Sequence, residues 1–219
     1  MDVKDGAEIE RMVLKKTMEL RDGYLNSLLF GAVQGWKVII EDSARVQTAC
    51  MGLLPSGEYA MKFGKKFLEQ DVRSETELYF VYLHELFHMI NGDLLRACPP
   101  AMSGRGFREY NILFDIKINS SILRNHYKDG WYFLDEFYGR NADKALAFLL
   151  HPAFTREELE GDRIYNDNSL QERAREMAET AQFVDGECIK DRKEFAGLYV
   201  DAWFKNASIN TLMKRMMKV

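Results

Sequence analysis

The chain is poor in the residues that staple or interrupt a fold, with three cysteines, four prolines and four histidines among 219 residues. Cys50, Cys98 and Cys188 are odd in number, widely spaced and in no CxxC pair. That excludes a disulfide framework and a thiolate zinc site, and it points to a reduced, cytoplasmic setting. No run of about eighteen apolar residues occurs, so no membrane span is expected. The opening MDVKDGAEIERMV carries acidic residues where a secretory signal is basic, and no targeting segment is expected. Charge of one sign is also lacking. A net charge of -4 gives no pull toward nucleic acid or an anionic membrane, and there is no basic stripe interleaved with aromatics. The one basic cluster, Lys214-Arg215-Met216-Met217-Lys218, reads as a complement to a helix C-terminus.

The hydrophobic content of 47% is enough for one substantial core. A single domain over 1–219 is expected, its core at about 36–125 and a helical extension at about 140–219. Residues 7–34 read as an amphipathic helix or helix pair ended by Gly31 and Gly35. The period then changes: 36–40, 46–50 and 58–63 are short β-type runs separated by Asp42-Ser43 and Leu54-Pro55-Ser56-Gly57. Helical patterns occupy 74–90 and about 107–124, with a Pro- and Gly-rich loop at 98–106 between them. Beyond that the composition is helical, with breaks near Asp129-Gly130, Gly139, His151-Pro152, Gly161 to Asn168 and Asp185-Gly186. The class is α+β, a small and mostly antiparallel sheet backed by helices. Residues 58–63, just before the helical stretch at 74–90, read as a sheet edge to which an extended peptide could add as another strand.

His84-Glu85-Leu86-Phe87-His88 carries the most information. Histidines four apart project from one helical face, so both rings can close on one tetrahedral cation while the glutamate beside them reaches a water on it. The segment 74–90 supports such a helix, with no Gly or Pro and with Ser74 and Glu77 spaced as a capping box. Its sides are mostly apolar, so a buried glutamate and two buried histidines there need a reason. With only four histidines in the chain, chance spells this pattern in well under roughly one chain in fifty.

A catalytic zinc usually takes three protein ligands. Asp93, Glu109, Asp115, His126 and His151 are the downstream choices. Asp115 is preferred, because Asp115 and Asn119 stand four apart on one helix face amid Ile112, Leu113, Phe114, Ile116 and Ile118. Asp93, just past Gly92, stays open as the alternative, and His126 or Tyr127 could steady an oxyanion. The aromatic cluster at 131–138 reads as core packing more readily than as a substrate groove.

HExxH followed by a helix with an acid and a polar residue four apart resembles the thermolysin-type zincins, where the second helix carries ExxxD. It is closer to the zincin-like metallopeptidase domain of bacteria and phages often found ahead of a VWA-like domain. That resemblance covers about residues 46–123, through HELFHMINGDLLR and NILFDIKINSSI. Relatives have histidine where Asp93 stands, and no DxSxS motif of a VWA-like domain occurs, so a partner is expected in trans. The resemblance implies a zinc metallopeptidase acting on protein or peptide, with Zn2+ on His84, His88 and Asp115 and Glu85 as general base. A zinc-stabilised binding module without catalysis and a metal-free helical interaction protein are the alternatives.

Overall fold

The computed structural model describes residues 3, 5–20, 22–91, 107–140, 147–161, 164–180 and 191–216, with the backbone alone at 32–34, 107–110, 147–148 and 216. The chain divides into two compact units, Met1–Ile90 and Asn91–Val219.

In the first unit, α1 (Gly6–Leu20) begins where the Asp5 carboxylate accepts the Glu8 N–H at 2.9 Å. Its buried stripe is Ile9, Val13 and Thr17, spaced one turn apart. Gly6 starts it because a Cβ there would stand 2.0 Å from the Val38 carbonyl oxygen, so the helix lies flush against the first strand. Asp22 caps α2 (Gly23–Gly35), accepting from the Tyr24 and Leu25 N–H groups at 3.0 Å. The predicted helix pair is therefore present, although Gly31 lies inside α2 and only Gly35 ends it.

Three strands follow: β1 (Trp36–Glu41), β2 (Ala49–Leu53) and β3 (Tyr59–Gly64), in the order β1-β3-β2. β3 runs parallel to β1, with Val38 opposite Met61, and antiparallel to β2, with Met51 opposite Met61. The sheet is thus mixed and not mostly antiparallel. β3 also occupies its centre, which corrects the expectation that 58–63 form an edge. Its backbone is bonded on both sides and has no row of groups left for an added strand. The β2–β3 turn closes at Gly57, where φ of 82° suits glycine, and Leu54 N–H donates to the Glu58 carbonyl at 2.8 Å. β2 starts three residues later than the run at 46–50 implied, because a turn at 44–45 and a bend at 47–48 precede it: Val46 N–H reaches the Ser43 carbonyl at 3.4 Å and the Thr48 carbonyl accepts from Gly64 N–H at 2.7 Å.

After α3 (Lys65–Gln70), the chain enters α4 (Glu75–Ile90), which lies within the predicted 74–90. Ser74 Oγ accepts the Glu77 N–H at 3.2 Å, as a capping residue should. The Glu77 carboxylate turns to the Arg73 N–H, one residue earlier than a capping box specifies. Leu78, Tyr79, Tyr82, Leu83 and Leu86 are each at most 1% exposed, so the helix is buried on most sides. It packs on α1 and β2. At the α1 contact Thr17 has one hydroxyl proton and two partners, the Val13 carbonyl at 2.8 Å and Tyr79 Oη at 3.1 Å. Thr17 therefore donates to the carbonyl and accepts from the tyrosine, which satisfies a buried polar pair.

In the second unit, α5 (Phe107–Asn125), α6 (Gly130–Arg140), α7 (Ala147–Leu150), α8 (Arg156–Glu160), α9 (Asn168–Thr180), α10 (Arg192–Trp203) and α11 (Ile209–Met216) follow in order. α6 ends at Arg140, one residue past Gly139, where a break was expected. α5 is the organising element. Ile116, Ile118, Ile122 and Leu123 are wholly buried, while its polar side chains finish α10: Ser120 Oγ donates to the Trp203 carbonyl at 2.7 Å, Arg124 to the Phe204 carbonyl at 2.9 Å, and Lys117 to Asn206 Oδ1 at 2.8 Å. Those carbonyls belong to the end of α10 and have no further helix to accept from. Arg215 of α11 pairs with Glu194 and Asp201 of α10, so this member of the basic cluster braces a neighbouring helix.

Candidate metal centre

The first unit supplies two histidines and the acid between them. One turn apart on α4, His84 and His88 bring their Nε2 atoms to 2.9 Å, with ring centroids 4.7 Å apart and planes at 73°. A tetrahedral zinc held at about 2.0–2.1 Å from each nitrogen asks for a separation of roughly 3.3 Å, so a small opening of the pair admits the ion. Neutral imidazole nitrogens are a fitting donor set for zinc. Both rings are half-buried, whereas Glu85 is only 9% exposed. A carboxylate withdrawn from water is costly unless other groups meet it, and Glu85 does have interactions of its own. Its charge is felt on β2. Burial raises the Cys50 thiol above its ordinary pKa, and the Glu85 carboxylate adds to the rise.

In the second unit, Asp115 is likewise 9% exposed, on the buried flank of α5. Asn119, one turn on, is wholly buried, as the apolar neighbours of this pair implied. Sequence reading passed over Asn111, one turn earlier, whose Nδ2 donates to Asp115 Oδ2 at 3.1 Å. The signal was present: amide and carboxylate four apart on a helix are natural partners.

The other choices divide. His151 Nε2 meets Asp135 Oδ1 at 2.8 Å and its Nδ1 meets the Pro152 carbonyl at 2.9 Å, which occupies both ring nitrogens in holding α6 to the following turn. His126 is half-buried just beyond α5, and Tyr127 is 2% exposed with its N–H on the Ile122 carbonyl at 2.7 Å. Asp93 and the loop at 98–106 lie outside the described residues, as does the side chain of Glu109. In the aromatic cluster Phe133 is buried and stacks on Phe137 at 5.2 Å, as expected for packing, while Tyr132 is 56% exposed.

No protein-family model, no curated protein and no solved structure matches the chain. The class that stands is α+β, with helices and a small mixed three-stranded sheet. Among the described residues, no helix is long and apolar enough to cross a membrane.

Proposed function

We propose that the protein is a zinc-dependent peptidase of the zincin-like kind, hydrolysing peptide bonds in protein or peptide substrates, with His84, His88 and Asp115 as the metal ligands. The observation that carries it is the convergence of His84 Nε2 and His88 Nε2 at 2.9 Å on a helix that also buries Glu85 between them. A structural metal site has no use for an acid at that position. Support for the third ligand comes from donor chemistry: two imidazoles and one carboxylate are a donor set that suits a catalytic zinc, and Asp115 is a carboxylate withdrawn from water at 9% exposure.

When bound, zinc supplies Lewis acidity, lowering the pKa of a water toward neutrality and polarising the scissile carbonyl. Glu85 accepts a proton from the attacking water and delivers it to the leaving amine as the C–N bond breaks. With β3 at the centre of the sheet, β2 is the strand beside α4 on which an extended peptide can add through backbone bonds.

Elemental mass spectrometry on gel-filtered protein tests the proposal. About one zinc per chain is expected in the wild type and in Asp93→Ala, and little in Asp115→Ala. Zinc lost in Asp93→Ala and kept in Asp115→Ala reassigns the third ligand. A wild type that takes up no zinc even after it is added back removes the proposal. Zinc retained with no hydrolysis of unfolded protein substrates leaves a zinc-stabilised binding module.

A further inference from the structure

We infer that the outer end of β2 is a selective subsite, where Leu53, backed by Tyr59 and Trp36, receives a large apolar side chain of an extended peptide; this rests on the peptide substrate proposed above. The register puts the three residues in one row across the sheet, Trp36 opposite Tyr59 and Tyr59 opposite Leu53, so their side chains share a face. The rows behind it are Val38, Met61 and Met51, then Ile40, Phe63 and Ala49, and no charged residue stands on this face. Met61 and Phe63 are wholly buried and Met51 is 6% exposed. Cover gives out along the end row, where Trp36 is half-buried, Tyr59 is 38% exposed and Leu53 is 64% exposed. The row is thus barest at the open edge of the sheet.

What fits there follows from the backbone. Gly64 N–H donates to the Thr48 carbonyl and Leu54 N–H to the Glu58 carbonyl, so the even-numbered residues of β2 direct their N–H and C=O groups at β3. Ala49, Met51 and Leu53 direct theirs outward. Among the described residues only the Ala49 carbonyl is met there, by the Thr48 hydroxyl at 3.4 Å. Outward groups of this kind are a template for another strand. A peptide added to them places alternate side chains over the apolar face, and the one beside Leu53 becomes the fourth member of the row. A charged group at that position meets only apolar neighbours, so a side chain of Leu or Phe size is the fitting one.

Short labelled peptides of alternating Ser and Thr, with one central residue varied through Leu, Phe, Ser and Lys, are the probe, and fluorescence anisotropy reads their binding. Every protein carries Glu85→Gln to hold cleavage back, and binding is read whether or not zinc is taken up, so a failure of the metal site leaves the result intact. The Leu and Phe peptides are expected to bind about ten-fold more tightly than the Ser and Lys peptides, and Leu53→Ser to erase that difference. N-methylation of the Leu peptide is expected to abolish binding at alternate residues only, because the other N–H groups point away from β2. Equal binding of the four peptides, no binding by any, or a Leu53→Ser protein that keeps the preference overturns the subsite. N-methyl groups tolerated at every residue overturn strand addition at β2. A protein that sediments as a dimer, and as a monomer with Leu53→Ser, gives the edge to a second copy and overturns the proposal as well.

Discussion

Gly64→Ala probes how tightly the sheet is locked where β3 hands the chain to α3 and α4. The residue has φ of -68° and ψ of 127°, which any residue adopts, so the glycine is there for space and not for conformational freedom. A Cβ added to it would stand 2.4 Å from the Val46 carbonyl oxygen and 3.3 Å from that of Thr48, where real Cβ contacts essentially never fall below 3.0 Å. The Val46 carbonyl or the strand must therefore retreat by at least about 0.6 Å. Neither moves easily, since Gly64 N–H is bonded to the Thr48 carbonyl at 2.7 Å and the preceding Phe63 is wholly buried. Overpacking costs about 1–3 kcal/mol, and a clash against main chain held on both sides belongs in the upper half, about 2–3 kcal/mol. Gly52→Ala on β2 is the control. Nothing lies within 4 Å of its added Cβ, and alanine in a strand gains roughly 0.5–1 kcal/mol over glycine. Urea unfolding followed by circular dichroism reads both, with chelator present so that metal binding does not add to stability. If Gly64→Ala unfolds at the wild-type midpoint with an unchanged slope, the close approach is no constraint and the reasoning fails.

Three further outcomes follow from the same geometry. Glu85→Gln should keep about one zinc per chain and lose roughly 10²–10⁴-fold in peptide hydrolysis; loss of the metal instead would make Glu85 structural. Tyr79→Phe removes the hydroxyl that donates to Thr17 at 3.1 Å and should cost about 1 kcal/mol in urea unfolding, with an unchanged midpoint as the contrary result. Cys50, its pKa raised by burial and then by Glu85, holds less thiolate at pH 7.5 than an open cysteine and should alkylate more slowly, and Glu85→Gln should speed it. Peptide mass spectrometry reads the two rates, and equal rates in the two proteins would show that the Glu85 charge does not reach the thiol.

Legibility divided along the line between local and long-range physics. The α4 helix, its Ser74 cap and the His84–His88 pair are readable because every partner lies within a few residues on one helix. Burial of Asp115 and Asn119 was readable too, from the isoleucines around them. Strand order was not. Alternation marks 58–63 as a strand but carries no information on which neighbours flank it, and the placement of β3 between a parallel β1 and an antiparallel β2 is set by contacts distant in sequence. The late start of β2 reflects a bend whose Thr48 carbonyl accepts from the N–H of Gly64, sixteen residues further on. The Asn111–Asp115 bond was as legible as the Asp115–Asn119 spacing, since both join residues one turn apart on α5.

The bonds by which α5 finishes α10 set an order of events during synthesis. Arg124 and the Phe204 carbonyl are 80 residues apart in the chain, and Ser120 and the Trp203 carbonyl are 83 apart. At about 5–20 residues per second, the ribosome releases Arg124 some 4–16 s before its partner. During that interval the helix that carries Asp115 has formed its local turns but lacks the contacts that fix it in its unit. The polar face of α5 therefore waits on α10, and the second unit closes only after residues 203 and 204 have been made.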